Sequence, residues 1–377
     1  MFAQHKLFLL TSLIAGSLAA VAQPRAVPAP YSATATDLRT SYVRTIEPQQ
    51  PIKSVPAVHF GLGANEARIA TQYTDGLGRP LQTVVKQGSL VSSGQPTDLV
   101  SPVEYDAYGR VSFSYAPYAA TSNTVDVGND GSFKKDAFGQ QATFMQAQFG
   151  SQGQSYFYSA VQYEASPLDR VTKSMPIGDS WVGAGRGSSV KYCLNVADEV
   201  HRWTITEGGT GGYGNNTTST TSKAAATPTN PSGFYEPGEL SKTITENESG
   251  AQVIEYKDKQ GHVVLKKVQL TAAADNGTGS PHTGWLCTYY LYCNYGHLHC
   301  VIQPRGVELL DTPGGSTSGL WTLSSVLLDE QCFRYEYDGR YRLIMKKVPG
   351  AVTQGLVYDK RDRLVMVQDG NLSDATK

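Results

Sequence analysis

One motif recurs seven times along this chain: a tyrosine, a short turn with acidic residues or glycine, a basic residue, and then a run of strand-forming apolar residues. The clear copies are YTDGLGR (Tyr73, Asp75, Gly78, Arg79), YDAYGR (Tyr105, Asp106, Gly109, Arg110), YDGRYR (Tyr337, Asp338, Arg342) and YDKRDR (Tyr358, Asp359, Arg363). Degenerate copies are YEASPLDR (Tyr163 to Arg170), YKDKQGH (Tyr256, Gly261, His262) and YCNYGH (Tyr292 to His297). A repeated supersecondary unit cannot bury its apolar face alone, so repetition argues for a stacked β architecture rather than one catalytic pocket.

Each copy reads as a β-hairpin, because one β-propensity segment ends at the tyrosine and another begins after the basic residue. Asp and Gly between them supply the positive φ angles and the side-chain to backbone bonds of tight turns. After Arg110, strand alternation puts Val111, Phe113 and Tyr115 on one face and the serines on the other. Val263 to Val268 and Leu343 to Val348 repeat a shared pattern ending in a lysine pair and valine. After Arg363, Leu364 to Val367 put apolar groups on both faces, as expected where a sheet is covered on two sides or partly buried by a neighbour. The basic residues stand at 79, 110, 170, 262, 297, 342 and 363, at intervals of 31, 60, 92, 35, 45 and 21 residues. Such scatter excludes a strict solenoid and predicts a mainly β fold: an irregular array of antiparallel β-hairpins, with insertions between them and one short helix. Within each copy the expectation is a tyrosine packed across its hairpin, with the arginine over its ring or beside the aspartate.

Composition agrees: 38 Gly, 22 Tyr and 17% charged residues in 377 resemble an extracellular β protein. A net charge of -1 gives no reason to expect nucleic acid or an anionic membrane as partner. The pairs Lys134-Lys135, Lys266-Lys267 and Lys346-Lys347 read as solvated strand faces. Lys6, the apolar run Leu7 to Val21 and the small residues Ala20 to Ala22 form a signal peptide over 1–22, cleaved before Gln23. No later segment could span a bilayer, so the chain is expected to be secreted, periplasmic or at a cell surface. Residues 23–66 read as a Pro-rich extended leader and 67–377 as the β domain. The helix is placed at Gln140 to Phe149. Residues 208–233 form a low-complexity insertion expected to be a flexible loop, with shorter loops at Ala272 to Thr283 and Pro313 to Gly319.

No enzyme motif survives inspection. Gly209, Gly211 and Gly214 match a dinucleotide loop in spacing, but Asn and Thr follow where a helix must start. No nucleophile elbow or paired-histidine zinc motif exists. The reading is therefore non-enzymatic, with no catalytic residue and no cofactor. Cys287, Cys293, His297, His299 and Cys300 lie close in sequence and are ligand types that zinc prefers, but their spacing fits no standard site, and no metal is assigned. A Cys287 to Cys300 disulfide is a second reading and unpaired structural cysteines the preferred one, the total of five being odd.

The segments YTDGLGRPLQTV, SPVEYDAYGR, YEASPLDRV, EYKDKQGHVVLKKV, RYEYDGRYRLIMKKVPG and VYDKRDRLVMVQDGN resemble the N-terminal domain, itself of unknown function, of secreted Rhs or YD-repeat proteins, over roughly residues 40 to 371. The resemblance implies a YD-repeat sheet forming an open or partly closed shell, and a larger parent with further YD repeats and a C-terminal effector or toxin. This chain would then be an N-terminal fragment or a truncated member that scaffolds or caps the shell. Cys293 replaces the motif's Asp, and His262 and His297 replace its Arg, which puts the ion pair of those turns in doubt. The alternative function is a glycan-binding or adhesive surface module, because Tyr289, Tyr290, Tyr292 and Tyr295 cluster on one segment, although alternation buries about half of them.

Overall fold

The computed structural model describes residues 24–31, 40–51, 58–89, 94–206, 227–229, 233–311 and 321–369. The signal segment, the loop expected at 313–319 and nearly all of the insertion at 208–233 lie outside them. The fold is mainly β and antiparallel, and the chain divides into two compact units: residues 1–169 with 174–187, and residues 170–173 with 188–377.

The first unit holds strands β1 (Ser41–Pro48), β2 (Ala67–Thr74), β3 (Pro80–Val85), β4 (Leu99–Pro102), β5 (Phe113–Tyr115), β6 (Tyr118–Ala119) and β7 (Tyr158–Tyr163), with helix α1 (Ala137–Phe149) before β7. One sheet runs β1-β2-β3-β4-β6, and β5 pairs with β7. β1 therefore lies inside the segment read as a leader, extended and paired along its length with β2. Alternation in β2 turns Ala67, Ile69, Thr71 and Tyr73 inward, and Tyr73, Val84, Val100, Tyr118, Ala120 and Met145 make the core. α1 starts three residues earlier than expected because the Asp136 side chain accepts from the Gly139 N–H and caps it there.

β8 (Val171–Met175) falls across the division. The second unit continues with β9 (Ser188–Leu194), the small pair β10 (Thr204–Thr206) and β11 (Thr227–Thr229), β12 (Ser241–Glu246), β13 (Gln252–Lys257), β14 (Val263–Gln269), β15 (Trp285–Tyr292) and β16 (Leu298–Ile302). Helices α2 (Pro304–Asp311) and α3 (Ser325–Glu330) follow, then β17 (Cys332–Tyr337), β18 (Leu343–Lys347), β19 (Gln354–Tyr358) and β20 (Leu364–Gln368). The two short helices were not anticipated. Ser324 caps α3 through the Leu327 N–H, and α2 buries Val307 and Leu310. Strands β12 to β20 pair in chain order, with β9 beyond β12. β15 alternates cleanly, sending Trp285, Cys287, Tyr289 and Leu291 into a core shared with Ile244, Ile254, Tyr256 and Leu265. Each of the buried leucine and isoleucine side chains contributes about 1.5–3 kcal/mol by leaving water.

Two expectations fail on burial. Lys134 and Lys267 are fully buried, not solvated, because each ammonium finds fixed oxygen partners inside. β20 is exposed on both faces instead of covered, with Val365 59% and Met366 61% accessible, because β19 covers one edge and nothing described covers the rest.

Candidate functional site

Five of the seven motif turns share one local construction. In the first, the Asp75 N–H donates to the Arg79 carbonyl and the Gly78 N–H to the Asp75 carbonyl. Asp75 Oδ1 accepts from the N–H groups of Leu77 and Arg79, and Oδ2 from the Arg79 guanidinium at 2.8 Å. The frame repeats with Asp106 and Arg110, Asp258 and His262, Asp338 and Arg342, and Asp359 and Arg363. The Arg110 N–H, with its guanidinium and the Ser112 hydroxyl, holds the Asp106 carboxyl down at about 2 despite desolvation. The fourth residue of the frame takes the left-handed conformation, at φ +80 for Gly78 and Gly109, and at +61 and +62 for Tyr341 and Asp362. His262 keeps its turn bond, with Nδ1 3.0 Å from Asp258 Oδ2. In YCNYGH the backbone frame survives without a carboxylate, since the Cys293 N–H still reaches the His297 carbonyl at 3.0 Å.

The tyrosine is where the sequence reading needs correction. Each arginine of the frame does stand beside its own aspartate, but five of the seven motif tyrosines (Tyr105, Tyr163, Tyr292, Tyr337 and Tyr358) receive the basic residue of the preceding turn; Tyr73 instead donates to the Gly131 carbonyl, Tyr256 is buried against Glu199, and Arg170 finds Tyr192, outside the motif copies. Arg79 lies 4.5 Å from the Tyr105 ring and Arg110 4.6 Å from Tyr163. In the second unit Arg170 lies 4.1 Å from Tyr192, His262 stacks on Tyr292 at 4.7 Å, His297 lies 5.1 Å from Tyr337, and Arg342 lies 5.1 Å from Tyr358. The hydroxyl often completes the contact by donating to the carbonyl just after that basic residue: Tyr163 to Val111, Tyr192 to Val171, Tyr337 to Leu298. The left-handed residue of the later turn meets the same basic group, as Asp169 does with Arg110 at 2.6 Å and Asp362 with Arg342 at 2.6 Å. Successive turns thus form a ladder of ring, cation and carboxylate. In the second unit its turns lie between β13 and β14, β15 and β16, β17 and β18, and β19 and β20. Every second connection of an antiparallel sheet emerges at the same end, and this explains the irregular sequence intervals: they record the lengths of the connections at the other end.

An eighth turn was missed. Asn247 Oδ1 accepts from the Ser249 and Ala251 N–H groups, and Gly250 has φ +84, so ENESGA between β12 and β13 builds the frame at the opposite sheet end with Asn for Asp and Ala for Arg. The Asn-x-x-Gly spacing was the available signal. Without Tyr or Arg it did not register as a copy.

The Cys/His candidates do not converge. Cys287 pairs in register with Lys267 and its thiol is pushed up to about 12 by burial. Cys293 sits in a turn, His297 in the ladder, and buried His299 against Tyr337. Cys300 is opposite Leu291, four residues from Cys287, which removes the basis for a cross-hairpin disulfide. Its thiol instead meets Cys332, and that contact and burial push it well up. Among the described residues no three His, Cys, Asp or Glu side chains are grouped to hold a metal ion. Of the tyrosine cluster, Tyr289 is buried and hydrogen-bonded to His282, Tyr292 is engaged by His262, and Tyr295 lies against Tyr341.

A buried polar group with no motif lies beneath the second sheet. Lys242 Nζ is 2.5 Å from Glu199 Oε1 and 2.7 Å from Asp275 Oδ2, all three side chains being at most 1% exposed. The Tyr256 hydroxyl donates to the same Glu199 oxygen at 2.6 Å, and the Lys242 and Lys267 ammonium groups each lie 5.5 Å from the Tyr256 ring. Lys267 donates to the Ser280 carbonyl at 2.7 Å, and its burial lowers its pKa. Burial alone would raise the Asp275 pKa; Lys242 and the Gly277 N–H outweigh it and lower it.

Residues 44–194 match the model of a domain of unknown function (DUF6443). A search of curated proteins returned no match. Among solved structures the chain is similar to a TcdB2-TccC3-TEV crystal structure (14% identity, 82% of this chain and 12% of that one, TM-score 0.42). It is also similar to a TcdB2-TccC3 crystal structure (15%, 80% and 12%, 0.41) and to a Photorhabdus luminescens Tc holotoxin pore carrying mutant TccC3 (14%, 81% and 11%, 0.41). This chain therefore spans only 11–12% of the length of those chains.

Proposed function

We propose that this chain is a non-enzymatic, exported scaffold whose hairpins template the docking of further tyrosine-led hairpins of the same parent protein, as part of a YD-repeat shell that carries a C-terminal effector. The observation that carries the reading is the last turn of the ladder. The Arg363 side chain is 69% exposed and bound to its own Asp359, and among the described residues no ring receives it, whereas Arg342, which is received by Tyr358, is 24% exposed. Beside it, β20 offers an apolar edge strand, a ready template for another strand. Secretion is supported by the N-terminal signal pattern, and no helix of the described residues is long and apolar enough to cross a membrane. The glycan-binding alternative has less in its favour, because Tyr289 is buried and the Tyr292 ring is stacked by His262, which leaves Tyr295, 68% exposed beside Tyr341, as the most open ring of the cluster.

The test is to append a second copy of residues 332–347 after residue 377 and follow hydrogen exchange at 364–368. Protection there, lost on Arg363→Ala combined with Tyr→Phe at the appended tyrosine, is expected. Unchanged exchange refutes the docking edge. Turnover of any ester, glycoside or peptide in a generic substrate panel refutes the non-enzymatic reading.

A further inference from the structure

The geometry around Lys242 points to a covalent crosslink: we propose that Lys242 and Asp275 condense into an intramolecular isopeptide bond, with Glu199 as the proton carrier. Three features place the reaction. The nucleophile and electrophile are held in contact without solvent, Lys242 Nζ being 2.7 Å from Asp275 Oδ2 with both side chains 0% exposed. The other oxygen, Asp275 Oδ1, accepts from the Gly277 N–H at 2.7 Å, a fixed donor for the charge that develops when the amine adds to Cγ. Glu199 Oε1, 2.5 Å from Nζ, is within proton-transfer reach and is itself oriented by the Tyr256 hydroxyl and the Ser280 N–H, while its Oε2 accepts from the Val196 N–H.

The balance closes without an oxidant or cofactor. The Lys242 ammonium loses one proton to Glu199, which relays it to Asp275 Oδ2. The freed lone pair forms the Nζ–Cγ bond, and a second proton follows the same route. The Cγ–Oδ2 bond breaks, Oδ2 departs as water, and the third hydrogen stays on the amide. Ammonium plus carboxylate gives amide plus water, so two buried charges are removed. Those two groups shed the desolvation penalty of ions held out of water, while the Glu199 carboxylate, losing its cation, stays held by the Tyr256 hydroxyl and the Ser280 and Val196 N–H groups. The bond would fasten the connection between β14 and β15, where Asp275 lies, to the start of β12. It is independent of the scaffold reading.

Intact-mass spectrometry of the purified full chain, held folded at neutral pH and then denatured, decides the matter. The expected result is a mass lower by one water than that of the mature sequence, with a branched peptide joining Lys242 and Asp275 after digestion. Lys242→Arg and Glu199→Gln should both restore the full mass, with hydrogen exchange reporting whether each variant has folded. A wild-type chain at its full mass overturns the proposal, as does a water loss mapped to any other pair. If neither variant folds, the wild-type mass and branched peptide still decide it. Crosslinking that persists in a folded Glu199→Gln chain overturns the role given to Glu199.

Discussion

Two glycines at the same position of the same turn frame should respond differently to alanine, and the difference measures the ladder. Gly261 has φ +90, and a Cβ there would meet nothing within 4 Å. Gly261→Ala should therefore cost only the left-handed backbone penalty of about 1 kcal/mol. Gly296 has φ +80, so it carries the same backbone penalty, but its Cβ would stand 3.0 and 3.2 Å from His262 Cε1 and Nε2. That imidazole cannot yield freely, since it stacks on Tyr292 at 4.7 Å and bonds Asp258 at 3.0 Å. Pushing it off the ring forfeits roughly another 1 kcal/mol, so Gly296→Ala should cost about 2 kcal/mol. Urea unfolding followed by tryptophan fluorescence in a Trp181→Phe background reads the second unit, which holds Trp203, Trp285 and Trp321, whereas Trp181 lies in the first. Replacing Tyr292 with leucine should shrink the gap between the two variants. Equal losses at the two glycines, or a gap indifferent to Tyr292, would refute coupling between successive turns.

In the first unit, the Lys134 ammonium is sealed between Asp98 at 2.7 Å, Asp130 at 3.1 Å and the Val127 carbonyl. Lys134→Met leaves the Asp98 carboxylate buried without its cation and should cost about 3–5 kcal/mol by chemical denaturation; a loss below about 1 kcal/mol would show that the ion pair is not sealed. The His201 imidazole, packed 3.7 Å from Trp321 and 5.6 Å from His282, is pushed down to about 4 by burial. Between pH 6.5 and about 4 the unfolded chain binds the proton that the folded chain refuses, so stability should fall with acidification by about 3 kcal/mol and level off below. His282, lowered by the same burial, adds in the same direction. His201→Phe should flatten the pH profile measured in urea, and an unchanged slope would refute the assignment.

The turns were legible because everything they need is local. Asp75, Gly78 and Arg79 lie within five residues, and a carboxylate that satisfies two N–H groups and a guanidinium specifies its frame wherever the chain carries it. The hairpins and the mainly β class followed from that periodicity. α2 and α3 were not legible, being too short to impose a period on the sequence and held by capping and packing against the sheet.

The partner of each turn, by contrast, is another turn. Arg342 meets Tyr358 and Asp362 only because an antiparallel sheet returns alternate connections to one end. Lys267 reads as a surface charge beside Lys266, yet its strand face is set by register with Cys287 and Ile254, which turns it into the core. Glu199, Lys242 and Asp275 carry no shared spacing at all. Hydrogen bonds spanning a few residues are written in the order of the amino acids. Contacts between charges dozens of residues apart exist only after the strands have chosen their neighbours, because their strength depends on the burial and the distances that the packed sheet creates.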